Sequence, residues 1–340
     1  MHESKPCEMA GPACVPAAGV RWPDEHVLPK RLDAAVAKRE RQSGRAQRAR
    51  GRVSLLRNAV SICTAVPLAA MAENVSLGSY IPAPPGTHLG LLYAANGRAT
   101  TYVPGSGPSI RDGTELSTTS GIARYLYFLD AGGTRVQLQA GLPFMSQEVE
   151  LGGARVGVDS GFMDPFVGVS VWPVNDTTKG EYLGITAIAY VPLGSYHHDS
   201  AVNVAANRYH GVLQAGYSRV LGRWQFDLVG DVTVYGDNDD SGPERATLSQ
   251  ENRYSLQPWM GYRFTEKLTG SVGAINAWGG RIHVDGVDTD RRTRSLRGRL
   301  GLAYWVAPRF QVYAELTRDI SVEGGYKFDH SGFIRLGYIF

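Results

Sequence analysis

Arg297 and Arg299 stand two apart in the run Ser295-Leu-Arg-Gly-Arg-Leu-Gly-Leu-Ala-Tyr304, with Leu296, Leu300, Leu302 and Tyr304 on the opposite parity. Side chains of an extended chain alternate, so both guanidinium groups share one face and the apolar groups share the other. An arginine turned to lipid at a bilayer midplane costs about 2–4 kcal/mol, so a pair on one face requires a polar interior for that face. The same alternation places Gln137 and Gln139 opposite Val136, Leu138 and Leu142, and Asp227 and Asp231 opposite Trp224, Phe226 and Leu228. It also nominates Arg124, Arg263, Glu315 and Arg335 as inward-facing charges. Trp259 and Trp305 share parity with Arg263 and Arg299 and are the rings placed to stack on a ligand. Charges of both signs admit two roles, a lining that selects solutes or internal salt bridges that fill the interior.

The remaining chemical groupings are weaker. Ser195, His197 and Asp199 supply the residue types of a hydrolytic triad, but closeness along a loop does not create the required geometry. His197-His198-Asp199 offers metal-ligand types without a spaced third and fourth ligand, and Asp237-Asn238-Asp239-Asp240 reads as a solvated acidic turn. Gly279-Gly280 precedes no helix that could cradle a phosphate. No catalytic residue, metal site or cofactor is expected, and a net charge of +3 over 340 residues calls for no nucleic-acid partner.

The elements that would carry the alternating faces are short extended segments. Twelve are expected, near 87–95, 115–129, 135–146, 162–173, 182–192, 210–220, 223–236, 254–264, 268–282, 295–306, 310–320 and 331–340. Short turns at Ala131-Gly132-Gly133, Asn175-Asp176, Leu221-Gly222-Arg223, Thr265-Glu266-Lys267 and Ala307-Pro308-Arg309 alternate with longer polar stretches. Those stretches, taken as loops, are 96–113, 148–160, 194–208, 237–251, 285–294 and 321–330. This rhythm, with 41 glycines, a mean hydropathy of −0.20 and no apolar run long enough for a spanning helix, predicts an all-β transmembrane antiparallel barrel. Phe128, Phe144, Phe162, Phe166, Trp172, Trp224, Trp259, Trp278 and Trp305 lie near expected strand ends, where an aromatic girdle at the membrane interfaces would sit. Pro143, Pro165, Pro173, Pro192 and Pro258 each remove a ladder donor and would mark bulges or a gap in the wall.

Ahead of the barrel, Arg57 precedes an apolar stretch from Ala59 to Ala69 and then Ala70-Met71-Ala72, the pattern of a secretory signal peptide at 53–72. Residues 1–52 read as a disordered basic extension, which a translation start near Val53 would leave untranslated. The barrel then occupies 73–340, and Cys7, Cys14 and Cys63 all precede it. The expected location is the outer membrane of a Gram-negative bacterium, among its lipid and lipopolysaccharide. The terminal strand ending at Phe340 would serve as the signal for the barrel-assembly machinery.

Several stretches resemble an outer-membrane transporter family involved in the meta-pathway of phenol degradation. They are the Pro-rich lead Tyr80-Ile-Pro-Ala-Pro-Pro-Gly-Thr87, the segment Ser160-Gly-Phe-Met-Asp-Pro165, and Tyr190-Val-Pro-Leu-Gly-Ser-Tyr196 followed by Asn203 and Asn207-Arg208. Met163 departs from the family pattern, which has glycine there. The resemblance implies a monomeric channel for passive passage of small hydrophobic or aromatic compounds. A surface-interaction barrel, adhesin-like or structural, with a plugged lumen is the alternative.

Overall fold

The computed structural model describes residues 75–340; the expected basic extension and signal peptide lie outside them. Fifteen strands form one antiparallel sheet: β1 (His88–Val103), β2 (Glu115–Ala131), β3 (Thr134–Leu151), β4 (Ala154–Phe162), β5 (Phe166–Asp176), β6 (Glu181–Tyr190), β7 (His210–Leu221), β8 (Trp224–Tyr235), β9 (Asn238–Ser241), β10 (Ala246–Gln250), β11 (Arg253–Arg263), β12 (Leu268–Val284), β13 (Val287–Ala307), β14 (Phe310–Glu323) and β15 (Gly325–Ile339). The sheet closes on itself because β1 pairs with β15 from Leu89↔Ile339 to Val103↔Gly325. Strands β4 and β5 both run antiparallel to β3 and act as one interrupted wall strand, while β9 and β10 form a hairpin beyond the wall. The wall therefore has twelve strands, as expected.

Three expected loops are strand along nearly their whole length, and two more, 96–113 and 237–251, are strand in part. Residues 148–160, 285–294 and 321–330 continue β3–β4, β12–β13 and β14–β15 well past the predicted ends. Two of these hairpins are closed by two-residue turns with positive φ at both positions, Gly152-Gly153 (59° and 80°) and Asp285-Gly286 (48° and 74°). Those are the dihedral signs of the hairpin turn whose twist matches the flanking strands, and Asp-Gly is among its strongest sequence signals. Polar composition concealed it.

The wall is uneven where proline interrupts pairing. Between β4 and β5, residues 163–165 leave the ladder, and Met163 N–H donates to the Pro143 carbonyl across the break at 2.9 Å. Strand β6 ends at Tyr190, opposite Phe166, so the edge of β4 away from β3 has no strand beside it. Segment 191–209 takes that place. Ser195 N–H donates to the Phe162 carbonyl at 2.7 Å, and Val204 N–H donates to Asp159 at 2.7 Å. Val202 reaches the interior and packs on Ala99, Leu116 and Val149.

The outer face carries the exposed apolar residues, among them Leu138, Leu142, Leu228, Leu256, Leu300 and Leu336, each one position from a buried or half-buried inward neighbour. Lipid requires that distribution. Placing a charge on this face, as in Leu228→Arg, is expected to cost about 2–4 kcal/mol in urea titrations of folding into lipid vesicles, while Glu266→Arg in a turn changes little. Equal stabilities for the two variants would contradict a lipid-facing outer surface.

Candidate functional site

The inward charges form a connected network on one side of the lumen. Arg299, with 0% side-chain exposure, contacts Glu315, with 2%, through Nε at 2.6 Å and Nη2 at 3.0 Å. Tyr313 donates its hydroxyl to the same carboxylate at 2.8 Å, and Arg299 Nη1 donates to Gln257 Oε1 at 3.3 Å. The guanidinium also lies 4.3 Å from the centroid of the Trp259 ring. Register explains that reach: Trp259 opposes Gly273 on β12, which opposes Arg299 on β13, and the indole lies over the glycine. Asp231 is bound by Ser255 and by Gln257 Nε2 at 3.2 Å. Arg297 pairs with Asp319 at 2.6 Å, and Arg335 lies over Tyr313 while donating to Gln311 at 2.9 Å.

The other nominated residues sit apart from this network. Arg124 donates to Gln139 at 2.9 Å on the opposite wall, and Gln137 is buried on the same strand as Gln139. Asp227 is buried near the turn end, where it accepts the Gly78 N–H. Arg263 is exposed at the turn and donates to the Gly222 carbonyl at 2.9 Å; Trp305, half-buried, opposes Gln311 near the end of β13. The aromatic girdle needs correction. Phe144, Phe162, Trp224 and Trp278 are exposed, but Phe128, Phe166, Trp172 and Trp259 are buried. Ser170, also buried and on the parity of Phe166 and Trp172, was the available signal.

Sequence reasoning missed the occupant of the turn end. Residues 75–83, preceding β1, enter the barrel instead of leading up to it. Gly78 N–H donates to Asp227 at 2.6 Å, and Val75 N–H donates to Gln257 at 3.2 Å. Trp259 and Trp172 donate their indole N–H groups to the carbonyls of Val75 and Tyr80, at 3.0 and 2.9 Å. The Tyr80 hydroxyl bonds Gln214 at 2.9 Å and Thr186 at 3.1 Å. Three wall glycines make the room. A Cβ at Gly216 would stand 2.1 Å from the Tyr80 ring, one at Gly184 2.6 Å from it, and one at Gly261 2.1 Å from Leu77.

Above this segment lies a cavity of about 280 Å³, running from Ser255 and Glu315 midway along the wall to Gly324 and Tyr326 at the loop end. Ile122, Ile275, Ile282 and Phe333 give it apolar walls, and Val204–Ala206 of the infolded segment cover part of it. Asp164, between β4 and β5, anchors that segment by accepting the N–H groups of Gly194 at 3.2 Å and Ala206 at 2.9 Å. Six arginines and four carboxylates also line the cavity. Burial holds the Arg208 guanidinium below its ordinary range, opposed by the nearby Tyr235, Asp237 and Asp164. His197 N–H is held by Asn203 within the same segment, at 2.8 Å. Among the described residues no three His, Cys, Asp or Glu side chains gather closely enough to hold a metal ion.

Because Arg299 and Glu315 are both removed from water, losing one partner strands the other. Glu315→Gln is expected to lower stability by about 3–5 kcal/mol in urea titrations, and Arg299→Met combined with Glu315→Leu far less. A single variant as stable as the parent would show that the pair is hydrated.

Comparison with known proteins fits this architecture. The COG4313 outer membrane channel from Pseudomonas putida superposes with a TM-score of 0.75 at 28% identity, over 78% of this chain and 100% of that one. The translocator domain of the autotransporter NalP from Neisseria meningitidis matches with a TM-score of 0.46 at 13% identity, over 91% and 98% of the two chains. The Pseudomonas putida toluene transporter TodX matches with a TM-score of 0.41 at 10% identity, over 80% and 93%. Among curated proteins there is no sequence match. The family model described as the MetA-pathway of phenol degradation matches residues 97–335, which is most of the chain, and this protein belongs to that family.

Proposed function

We propose that the protein is a passive channel for small hydrophobic or aromatic compounds in the outer membrane of a Gram-negative bacterium, with residues 75–83 as a closure at its turn end. The observation that carries this reading is the cavity with apolar walls, bounded by the wall itself, the infolded segment 191–209 and the inserted residues. Its lining suits an apolar solute that sheds its water on entry, with the solute gradient as driving force. A channel role accords with the similar COG4313 outer membrane channel, and aromatic solutes with the family's association with phenol degradation. On this reading the barrel sits among outer-membrane lipid and lipopolysaccharide, and its last strand, ending at Phe340, is the element offered to the barrel-assembly machinery.

The filled turn end equally suits a second reading, a surface-interaction barrel whose lumen is permanently plugged. The two separate in liposomes and planar bilayers carrying protein purified from outer membranes of cells expressing the full chain. A channel takes up labelled toluene and phenol faster than empty liposomes do; a folded barrel that passes neither solute nor ions favours the plugged alternative. If the inserted segment is the barrier, Gly216→Val, whose side chain would occupy the place of the Tyr80 ring, should raise ion conductance several-fold. Unchanged conductance in a folded Gly216→Val barrel would remove the segment from that role.

A further inference from the structure

Four consecutive wall strands present an aromatic row into the lumen at one level. Phe166, Tyr190, His210 and Tyr235, on β5 to β8, are successive register partners. Their ring centroids are 5.3, 4.1 and 6.0 Å apart, and Tyr190 and His210 lie within 12° of parallel. An arginine stands at each end, Arg124 at 5.8 Å from the Phe166 centroid and Arg208 at 4.7 Å from that of Tyr235. Tyr190, His210, Tyr235 and Arg208 all line the cavity.

Four polar atoms on this row are buried without a hydrogen-bond partner: the hydroxyl of Tyr190, a residue 3% exposed, both ring nitrogens of His210, 8% exposed, and Nη1 of Arg208, 7% exposed. Buried polar groups are nearly always satisfied, and an exception inside a cavity points to something that completes it. Three of the cavity's four carboxylates are committed to other arginines, and Asp164 acts on Arg208 only from beyond ion-pair distance. Asp319 pairs with Arg297, Glu323 with Arg292 and Glu315 with Arg299, while Asp164 accepts two backbone N–H groups. Arg208 Nη2 donates to the neutral Gln250, which leaves its positive charge without an ion-pair partner within bonding distance.

We infer that the row is a binding subsite for single-ring aromatic acids. The ligand ring lies with its face against the edges of Tyr190, His210 and Tyr235, whose own faces are taken up by one another and by Arg208; its carboxylate accepts from Arg208 Nη1, and a ring hydroxyl meets the Tyr190 hydroxyl. Edge-to-face contact selects an aromatic ring, and the charge-assisted bond in a water-poor cavity selects an anion over a neutral analogue of the same shape. The inference deepens the channel reading and rests on it for the ligand's access, because the row lies inside the lumen.

The test uses the detergent-solubilised protein made from the full chain, with benzoate and the neutral benzyl alcohol as probes in calorimetric titrations. The unaltered protein is expected to bind benzoate at least tenfold more tightly than benzyl alcohol, and Arg208→Gln to abolish that preference. Tyr190→Phe is expected to weaken 4-hydroxybenzoate about threefold to tenfold relative to benzoate. Equal affinity for both probes in the unaltered protein overturns the subsite without recourse to any variant, as does a preference that survives in folded Arg208→Gln. Toluene uptake by liposomes separates the two claims. Uptake without benzoate preference overturns the subsite alone, whereas benzoate preference without uptake supports the subsite and overturns the passage reading.

Discussion

Nothing in a hydrocarbon layer can hydrogen-bond a peptide group, so a sheet that crosses it must leave no strand without a neighbour. The pairing of β1 with β15 meets that requirement here, and much else follows from it. Closure divides every strand into an outward set that must be apolar and an inward set that is shielded from lipid. Arg297 and Arg299 are tolerable only because closure gives them an inside, and once inside they need partners. Asp319 and Glu315 on the adjacent strand provide them. The interruption at residues 163–165 bears on the same requirement, and segment 191–209 supplies donors to the β4 side chain and carbonyl that face it.

An interior this narrow is occupied by its own side chains unless the sequence makes space. Small residues do so locally. Gly184, Gly216 and Gly261 admit Tyr80 and Leu77, and Gly273 lets Trp259 lie flat and reach Arg299. Large apolar residues meanwhile build separate tiers along the wall, Leu91 with Leu126 and Trp172 toward the turns, Ile122 with Phe166 and Val212 higher, and Ala99 with Leu116 and Val202 near the loops. The cavity lies beside those tiers, so a solute inside it meets apolar side chains, aromatic faces and arginines together.

Much of this was legible from alternation. The side-chain period of two in a strand is rigid, so Gln137 with Gln139, Asp227 with Asp231, and Arg297 with Arg299 could be assigned to inward faces from parity alone. The fold class followed, and so did the number of wall strands. Alternation was less informative about where strands stop, because β3, β13 and β15 extend beyond the apolar band, where the outward face turns polar and, at Val149, Tyr326 and Phe328, the apolar side chains lie inside instead. Turn chemistry at Gly152-Gly153 and Asp285-Gly286 carried that information instead. Phe166 and Trp172 were misread because an aromatic near a strand end suits either an interface or a lumen, and only parity with Ser170 distinguishes them. The inserted residues 75–83 and the inward course of 191–209 were not legible at all. Their contacts join positions far apart in the chain, as Tyr80 does with Gln214 and Val204 with Asp159, and no local pattern reports such a pairing.

The central claim is that solutes pass along the lumen and that residues 75–83 close its turn end. It is tested most directly by uptake of labelled toluene into cells whose outer membrane carries the Leu77→Cys, Gly261→Cys protein, before and after reduction. The Leu77 side chain lies against Gly261, which favours a disulfide between the two positions. The account predicts that uptake is lost in the oxidised, tethered state and returns on reduction. Uptake that proceeds equally with the tether in place would contradict it, and would mean that the solute leaves the barrel without passing residues 75–83.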